Sequence, residues 1–288
     1  MEKFIITTEN TCDLSFEELK KLNVRIINLH YFLNGIECQN ENYDEKEFYG
    51  KIRKGALGST SQPNRYEFET FFRSFLDEGY DILHLSFSSV LSGTYDNACS
   101  VATFLEKDYP QRRIKVIDTK SQSAGQGLLV TLVAQYKDNG NSFCQCAEYA
   151  ESLIQNINHV FTIQDLRTLA RTGRASNAEA FIGNILQIKP LLYTNKDGYL
   201  TPSMKLFSRK LALKTLVEKV KKKYNGLSNL IYIAHSDCLI EAENVAFALS
   251  QIEGVEVKIF SLCPVIGCHT GADTISVFFT ANERKGLL

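Results

Sequence analysis

The chain has 288 residues, with 32 Lys and Arg against 33 Asp and Glu and a formal net charge of −1. That balance excludes an electrostatic footprint for nucleic acid or for an anionic membrane at whole-chain level. Hydrophobic residues make up 44% and charged residues 23%, the composition of a globular chain that buries a large core in one large or two modest domains.

The N-terminal stretch Met1–Asn10 turns polar too soon for a signal peptide, and no apolar run approaches the ~18 residues that a membrane span needs. The expectation is a cytoplasmic protein without stable membrane insertion. Short apolar strands alternate with helices along the chain, which predicts an α/β architecture. Strands are expected at Phe4–Thr7 and Arg25–Leu29. Between them Ser15 and Glu18 form a capping-box pattern, and Asn23 suits the end of that helix. Gly58-Ser59-Thr60-Ser61-Gln62-Pro63 reads as a hydroxyl-bearing loop. Phe68, Phe71, Phe72 and Phe75 share one helical face and are expected to pack in the core.

Tyr80–Leu85 is apolar enough for an interior strand, and Thr94–Lys107 carries a helical apolar pattern. Between them, Ser86-Phe87-Ser88-Ser89-Val90-Leu91-Ser92-Gly93-Thr94-Tyr95 packs four serines and a threonine around one glycine. A hydroxyl-rich turn feeding a helix start offers O–H donors, free backbone N–H groups and a favourable dipole, an anion site in outline. The next strand, Lys115–Ile117, runs into a second such segment, Asp118–Gly127. Ser142 and Gln145 then cap a helix through Asn156, after which a domain boundary is placed near residue 158, giving lobes 1–158 and 159–288.

In the second half, strands are expected at His159–Thr162, Ile231–Ala234, Val255–Phe260 and Ile275–Thr280. Gly173 should end a helix over Leu166–Arg171, and Ser176 with Glu179 forms a third capping pattern. Ile188–Tyr193, Asn195-Lys196-Asp197-Gly198 and Tyr199–Thr201 read as a β-hairpin, a departure from a plain doubly wound sheet. Lys219, Lys221, Lys222 and Lys223 fit the solvated last turn of a helix. Pro264–Gly271 reads as a glycine-bracketed turn holding Cys268, His269 and Thr270. His30, His84, His159 and His235 lie in or beside strand-like runs and are expected to be structural. The eight cysteines form no C-x-x-C pair and are expected to be reduced core fillers, with no metal site and no cofactor.

Three of the four hydroxyl- or imidazole-bearing segments follow strands, where the loops at the carboxyl ends of strands gather into one crevice. Thr60-Ser61-Gln62-Pro63, Ser88–Tyr95, Asp118-Thr119-Lys120-Ser121, Leu166-(two)-Leu169-(three)-Gly173-Arg174, Ile188-Lys189-Pro190-Leu191 and Gly267-Cys268-His269-Thr270-Gly271 together resemble the DegV family in order and spacing, over nearly the whole chain. The resemblance implies a two-lobed α/β fold, with a largely parallel sheet in the N-terminal lobe. The C-terminal lobe would be mixed α/β and contain the hairpin, with the ligand in the cleft between lobes. It implies a long-chain fatty acid as ligand, and as partner the catalytic subunit of a bacterial fatty acid kinase, which phosphorylates the bound carboxyl group to an acyl phosphate for phospholipid synthesis.

Residue by residue, the resemblance places the carboxylate against Thr60, Ser92, the N–H of Gly93 and His269. Ser61, Thr94, Ser121, Ser123, Arg174 and Thr270 match positions near the cleft, and Arg209 and Lys205 the segment that faces the kinase. Three departures stand out. The family's N-terminal acidic and hydroxyl pattern appears as Glu9-Asn10-Thr11-Cys12-Asp13, with two positions changed. Ala272-Asp273 replaces a Pro-Gly, and Phe207-Ser208-Arg209 keeps one of two arginines. Two other readings stay open on the residues alone. Ser92 with His269, and Asp118 as a third member, suits an acyl hydrolase, although Val90 stands where the G-x-S-x-G elbow has its first glycine. Hydroxyl-rich helix starts also suit a phosphate ligand, although neither a P-loop nor a dinucleotide fingerprint is present.

Overall fold

The computed structural model describes residues 3–40, 43–175, 181, 188–284 and 286. The expected Ser176–Glu179 capping pattern lies outside the described residues. The N-terminal lobe is built on β1 (Phe4–Glu9), β2 (Val24–Ile27), β6 (Asp81–Ser86) and β7 (Ile114–Asp118), in the order β2-β1-β6-β7 and all parallel. β1 and β6 are buried along their whole length, as interior strands of a parallel sheet must be. Helices α1 (Phe16–Lys21), α3 (Arg65–Leu76) and α4 (Thr94–Leu105) belong to this lobe. Ser15 caps α1 as expected, and Asn23 turns left-handed just after it. Phe68 and Phe72 of α3 are fully buried in the core, with Phe71 and Phe75 packed against it.

A second, small sheet was not expected. β3 (His30–Leu33), β4 (Ile36–Cys38) and β5 (Gly58–Ser61) form an antiparallel unit in the order β4-β3-β5, beside α2 (Glu45–Arg53). The segment read as a loop at Gly58–Ser61 is therefore a strand. Four small and hydroxyl residues lack the apolar signature of a strand, and β3 supplies the ladder that holds them.

The C-terminal lobe carries a six-stranded mixed sheet in the order β10-β9-β8-β13-β11-β12. Its strands are β8 (Ile157–Thr162), β9 (Lys189–Thr194), β10 (Leu200–Leu206), β11 (Leu230–His235), β12 (Glu256–Ser261) and β13 (Ile275–Thr280). β9 and β10 form the expected hairpin, the second strand running five residues beyond the predicted Thr201 to Leu206. Among the described strands of this sheet only β11 and β12 pair in parallel, and a single parallel bridge joins Ala175 to Leu200.

Helices α5 (Ala124–Asp138) and α6 (Phe143–Leu153) join the lobes, and Ser142 and Gln145 complete a capping box on α6. α5 packs against both large sheets, so one apolar core runs from Leu83 and Leu85 through Leu128 and Leu129 to Phe161 and Phe278. α7 (Arg167–Thr172) ends at a left-handed Gly173, as expected. α8 (Arg209–Lys223) and α9 (Leu239–Leu249) follow, and α8 ends on its lysines. Pro264–Thr270, read as a turn, is a short helix, α10. Pro264 stands at its first position, where a missing N–H costs nothing, and almost every residue of the helix is buried. It packs on β5, β3 and α2, so a C-terminal segment closes against the small N-terminal sheet. All eight cysteines are free thiols. Cys12, Cys146 and Cys268 are buried as expected, whereas Cys144 is exposed on α6.

Candidate functional site

Within the parallel sheet, the chain leaves β1 toward β2 on one side, while β6 lies on the other. The point between β1 and β6 is where open α/β sheets form a crevice beyond the strand ends. Glu9 closes the base of this crevice. Its buried carboxylate accepts from Ser86 Oγ at 2.7 Å, Phe87 N at 3.0 Å, His84 Nε2 at 3.1 Å and Gln126 Nε2. That set of bonds fixes where the loop 87–93 begins.

The hydroxyls of that loop divide their work. Ser88 Oγ donates to Gly198 O at 3.4 Å, and Ser89 donates to Asp118 through its N–H and its Oγ. Asp118 also accepts from Lys120 N, so it braces two loops and bonds no histidine. Ser92 is half-buried at the start of α4, where its Oγ lies 2.8 Å from Thr94 Oγ1 and accepts from Thr94 N. Gly93 carries the turn. A Cβ there would sit 2.6 Å from Oε1 of the exposed Gln62 side chain, which would have to swing aside to admit it. Asn97 Nδ2 donates to Pro63 O at 2.7 Å and ties the same two segments.

Thr60 reaches the site from β5. Alternation along this strand turns Gly58 and Thr60 inward and leaves Ser59 and Ser61 exposed, so Ser61 faces away from the cleft. Opposite Thr60, His269 stands in the last turn of α10, and Thr60 Oγ1 lies 2.9 Å from His269 Nε2. The other ring nitrogen, Nδ1, is buried without a partner. Burial, with the positive charges of Arg174 and Arg171 behind it, lowers the imidazole from 6.5 to about 4. The ring is therefore neutral near pH 7.

The approach to α10 is held in place by side chains of the first lobe. Tyr49 and Tyr43 donate to Leu262 O, and Asp13 Oδ1 accepts from Cys263 N at 2.9 Å. Asp13 also accepts from Ser123 Oγ, and burial raises its carboxyl from 3.8 to about 6. Ser123 adopts a positive φ of 56° at the head of α5, a conformation that this bond stabilises.

A cleft of about 700 Å³, part of it open to solvent, joins these groups. Its polar rim holds Thr60, Ser92, His269 and Arg174. Leu29, Phe87 and Leu91 line it from the N-terminal lobe, and Leu262, Val265 and Ile266 from the approach to α10 and its first turn. Phe161, Phe278 and Leu200 line it from the six-stranded sheet, with Leu169 from α7. The walls are apolar with a few convergent polar groups, the make-up of a small-molecule site.

The structure thus brings Thr60, Ser92 and His269 to one cavity, with Ser123, Thr270 and Arg174 on its walls. Thr270 spends its hydroxyl on Ile266 O, and Arg174 is exposed at the mouth. Thr94 is buried behind Ser92. Ser121 is buried too, its Oγ accepting from Arg284 Nη2 at 2.8 Å and donating to Thr119 O. Arg209 lies away from the cleft, bound to Glu241 through Nε at 3.0 Å and Nη2 at 2.6 Å. Lys205 sits over the Phe181 ring at 5.1 Å. Sequence reasoning missed the apolar walls, Gln122 and the brace of Glu9 and Asp13. Phe161 and Phe278 belong to strand runs that look like ordinary core, and the only signal for the brace was acidic residues in the N-terminal pattern.

Ser92 and His269 are not paired with each other. Each has its own partner, Thr94 and Thr60, and Asp118 is committed to Ser89. The nucleophile–base–carboxylate relay of a serine hydrolase is therefore not assembled. Among the described residues no helix is long and apolar enough to cross a membrane.

The likeness to known proteins extends over the whole of this architecture. Residues 3–282 match the family model described as an uncharacterised protein of the DegV family. A DegV domain-containing protein of Clostridium perfringens is 37% identical over 99% of this chain and 100% of its own length. One from Streptococcus pyogenes is 32% identical over 98% and 99%. Among solved structures, a fatty acid binding DegV family protein from Streptococcus agalactiae superposes with a TM-score of 0.84 at 28% identity, covering 98% of this chain and 100% of that one. A fatty-acid-binding DegV family protein from Thermus thermophilus gives 0.83 at 28% identity, covering 97% and 99%. With the two-lobed fold, the matched length and the ordered motifs in agreement, this chain belongs to the DegV family.

Proposed function

We propose that the chain binds one long-chain fatty acid in the cytoplasm and presents its carboxyl group to a separate ATP-dependent kinase, which converts it to an acyl phosphate. In this reading the chain has no catalytic activity of its own. The observation that carries it is an apolar cleft ending in the Thr60–His269 pair, with Ser92 and the start of α4 beside it. The solved DegV proteins from S. agalactiae and T. thermophilus are described as fatty acid binding, which supports the same ligand class here.

The chemistry follows from the groups present. A tail of ~16 carbons contributes about 0.8 kcal/mol per buried methylene, roughly 10 kcal/mol before association costs. The carboxylate then needs hydrogen bonds rather than a counter-ion, each worth about 1.5–3 kcal/mol to a charged group. With the proton of the neutral imidazole on Nε2, Thr60 accepts from His269 and donates its own hydroxyl hydrogen to a carboxylate oxygen. Ser92 and the Gly93 N–H supply two further donors in this reading, and Arg174 and Arg171 add a favourable field at the mouth. Neutral donors leave one oxygen uncommitted for phosphoryl transfer, which a bidentate arginine would occupy. Arg209 and Lys205 mark the proposed kinase-facing side.

Denaturing mass spectrometry of an organic extract, set against the native mass, tests the ligand. A near-stoichiometric long-chain fatty acid is expected. A protein that stays empty after incubation with several fatty acids would reopen the hydrolase and phosphate readings.

A further inference from the structure

The wall of the cleft contains a polar group that a plain hydrocarbon tail does not use. Gln122 lines the cleft at the head of α5 and is only 7% exposed. Its Nε2 donates to Thr194 Oγ1 at 2.7 Å, and Thr194 Oγ1 lies 3.2 Å from His159 Nδ1. The other end of the amide, Oε1, is buried without a hydrogen-bond partner. Exchanging the oxygen and nitrogen would satisfy the oxygen on Thr194 and leave two N–H groups orphaned instead. One end of this carboxamide is unmet in either assignment.

The amide belongs to the part of the cleft that would cover a tail. Thr194 and His159 stand on β9 and β8, and the His159 ring meets Phe278 edge-on at 5.1 Å. Phe278 lines the cleft together with Phe161. Ser276, which faces Phe161 across the β8–β13 ladder, lines it as well. Thr60, Ser92 and His269 come from β5, the α4 turn and α10. The polar group at Gln122 is thus carried by a different set of elements from the head-group donors. A methylene beside Gln122 offers no donor, so a saturated tail leaves this buried acceptor unmet. A hydroxyl on the tail satisfies it by donating to Oε1.

We propose that Gln122 makes the cleft selective for acyl chains that carry a hydroxyl group along the tail, with the side-chain oxygen of Gln122 as its acceptor. The proposal rests on the fatty-acid reading above and specifies the substrate class within it.

The test titrates the full chain with octadecanoic acid and with a series of its positional monohydroxy isomers, using wild type, Gln122→Leu and Gln122→Met. Calorimetry or displacement of a fluorescent fatty acid supplies the affinities. At least one isomer is expected to bind wild type about tenfold more tightly than octadecanoic acid, the fold-change of one hydrogen bond to an otherwise unmet group. Both variants should lose that preference, binding every isomer no more tightly than octadecanoic acid. If no isomer exceeds octadecanoic acid, or the preference survives in both variants, the proposal is overturned while the fatty-acid reading stands. If neither octadecanoic acid nor any isomer binds wild type, the fatty-acid reading falls and the proposal falls with it.

Discussion

Thr60 and His269 are separated by 209 positions in the chain, yet Thr60 Oγ1 and His269 Nε2 meet at 2.9 Å. The meeting requires the small sheet to lie directly against α10. Gly58, two residues before Thr60, permits this, because a Cβ there would stand 2.7–2.8 Å from Sγ, Cα and Cβ of Cys268. The polar end of the cleft is therefore made jointly by a strand of the first lobe and a helix of the second. Its geometry depends on how closely those two elements pack.

Gly58→Ala should accordingly act at a distance of two residues. The added methyl pushes β5 off α10, at a cost of about 1–3 kcal/mol in stability. It should also weaken fatty-acid binding by separating Thr60 from His269. Urea unfolding and lipid titration on the same preparation check both. Unchanged affinity in a destabilised variant would show that the pairing is not needed for the ligand.

Thr60→Val keeps the shape and removes the hydroxyl. Loss of one hydrogen bond to a carboxylate should weaken fatty-acid binding about tenfold or more. Ser92→Ala should do the same and in addition cost about 1 kcal/mol of stability, since Ser92 Oγ also accepts from Thr94 N at the start of α4. Comparable lipid affinity in the double variant and wild type would remove both residues from the site.

Asp13 and His269 should make opposite contributions to stability as pH changes. His269 falls from 6.5 to about 4 on folding. Between those values the unfolded chain holds a proton that the folded chain lacks, so this residue makes stability rise with pH. Asp13 is raised from 3.8 to about 6. Its contribution is full below 3.8 and is lost as pH rises through 6. Relative to wild type, Asp13→Asn should therefore gain stability as pH is raised from 4 to 6, and His269→Gln should lose it from 4 to 6.5. Denaturant unfolding at a series of pH values measures the differences. Curves parallel to wild type for both variants would mean that neither group titrates as described.

Arg209 lies in a partly buried ion pair with Glu241, and its Nη1 is buried without a partner. Arg209→Gln should cost about 1–3 kcal/mol in stability. If the α8 start faces the kinase, the variant should also lower acyl-phosphate formation at saturating fatty acid, with lipid affinity unchanged. Turnover that falls only in step with the folded fraction would place the docking face elsewhere.

Much of the site could be read in advance because the hydroxyl-rich segments stand out against apolar strands. Their division of labour could not. Ser86, Ser88, Ser89 and Ser92 look alike in sequence, and only the partners Glu9, Gly198 and Asp118 show that the first three build the loop. The strand at Gly58–Ser61 was illegible because its stability comes from pairing with β3 rather than from its own side chains. α10 was misread because Gly267 and Gly271 suggested a turn. Pro264 at its first position was the signal for a helix start. The apolar lining was hidden for a different reason. Phe161 and Phe278 follow the same strand pattern whether they face a core or a cavity, and burial alone does not distinguish the two.

The measurement that bears most directly on the account is a carbon-13 NMR titration of carboxyl-labelled hexadecanoic acid against the intact protein at neutral pH. The account predicts one bound carboxylate resonance at one equivalent, distinct from free lipid, that moves or broadens in Thr60→Val and in His269→Gln. A carboxyl signal that stays at the free position with protein in excess, or a bound signal identical in wild type and both variants, would contradict it.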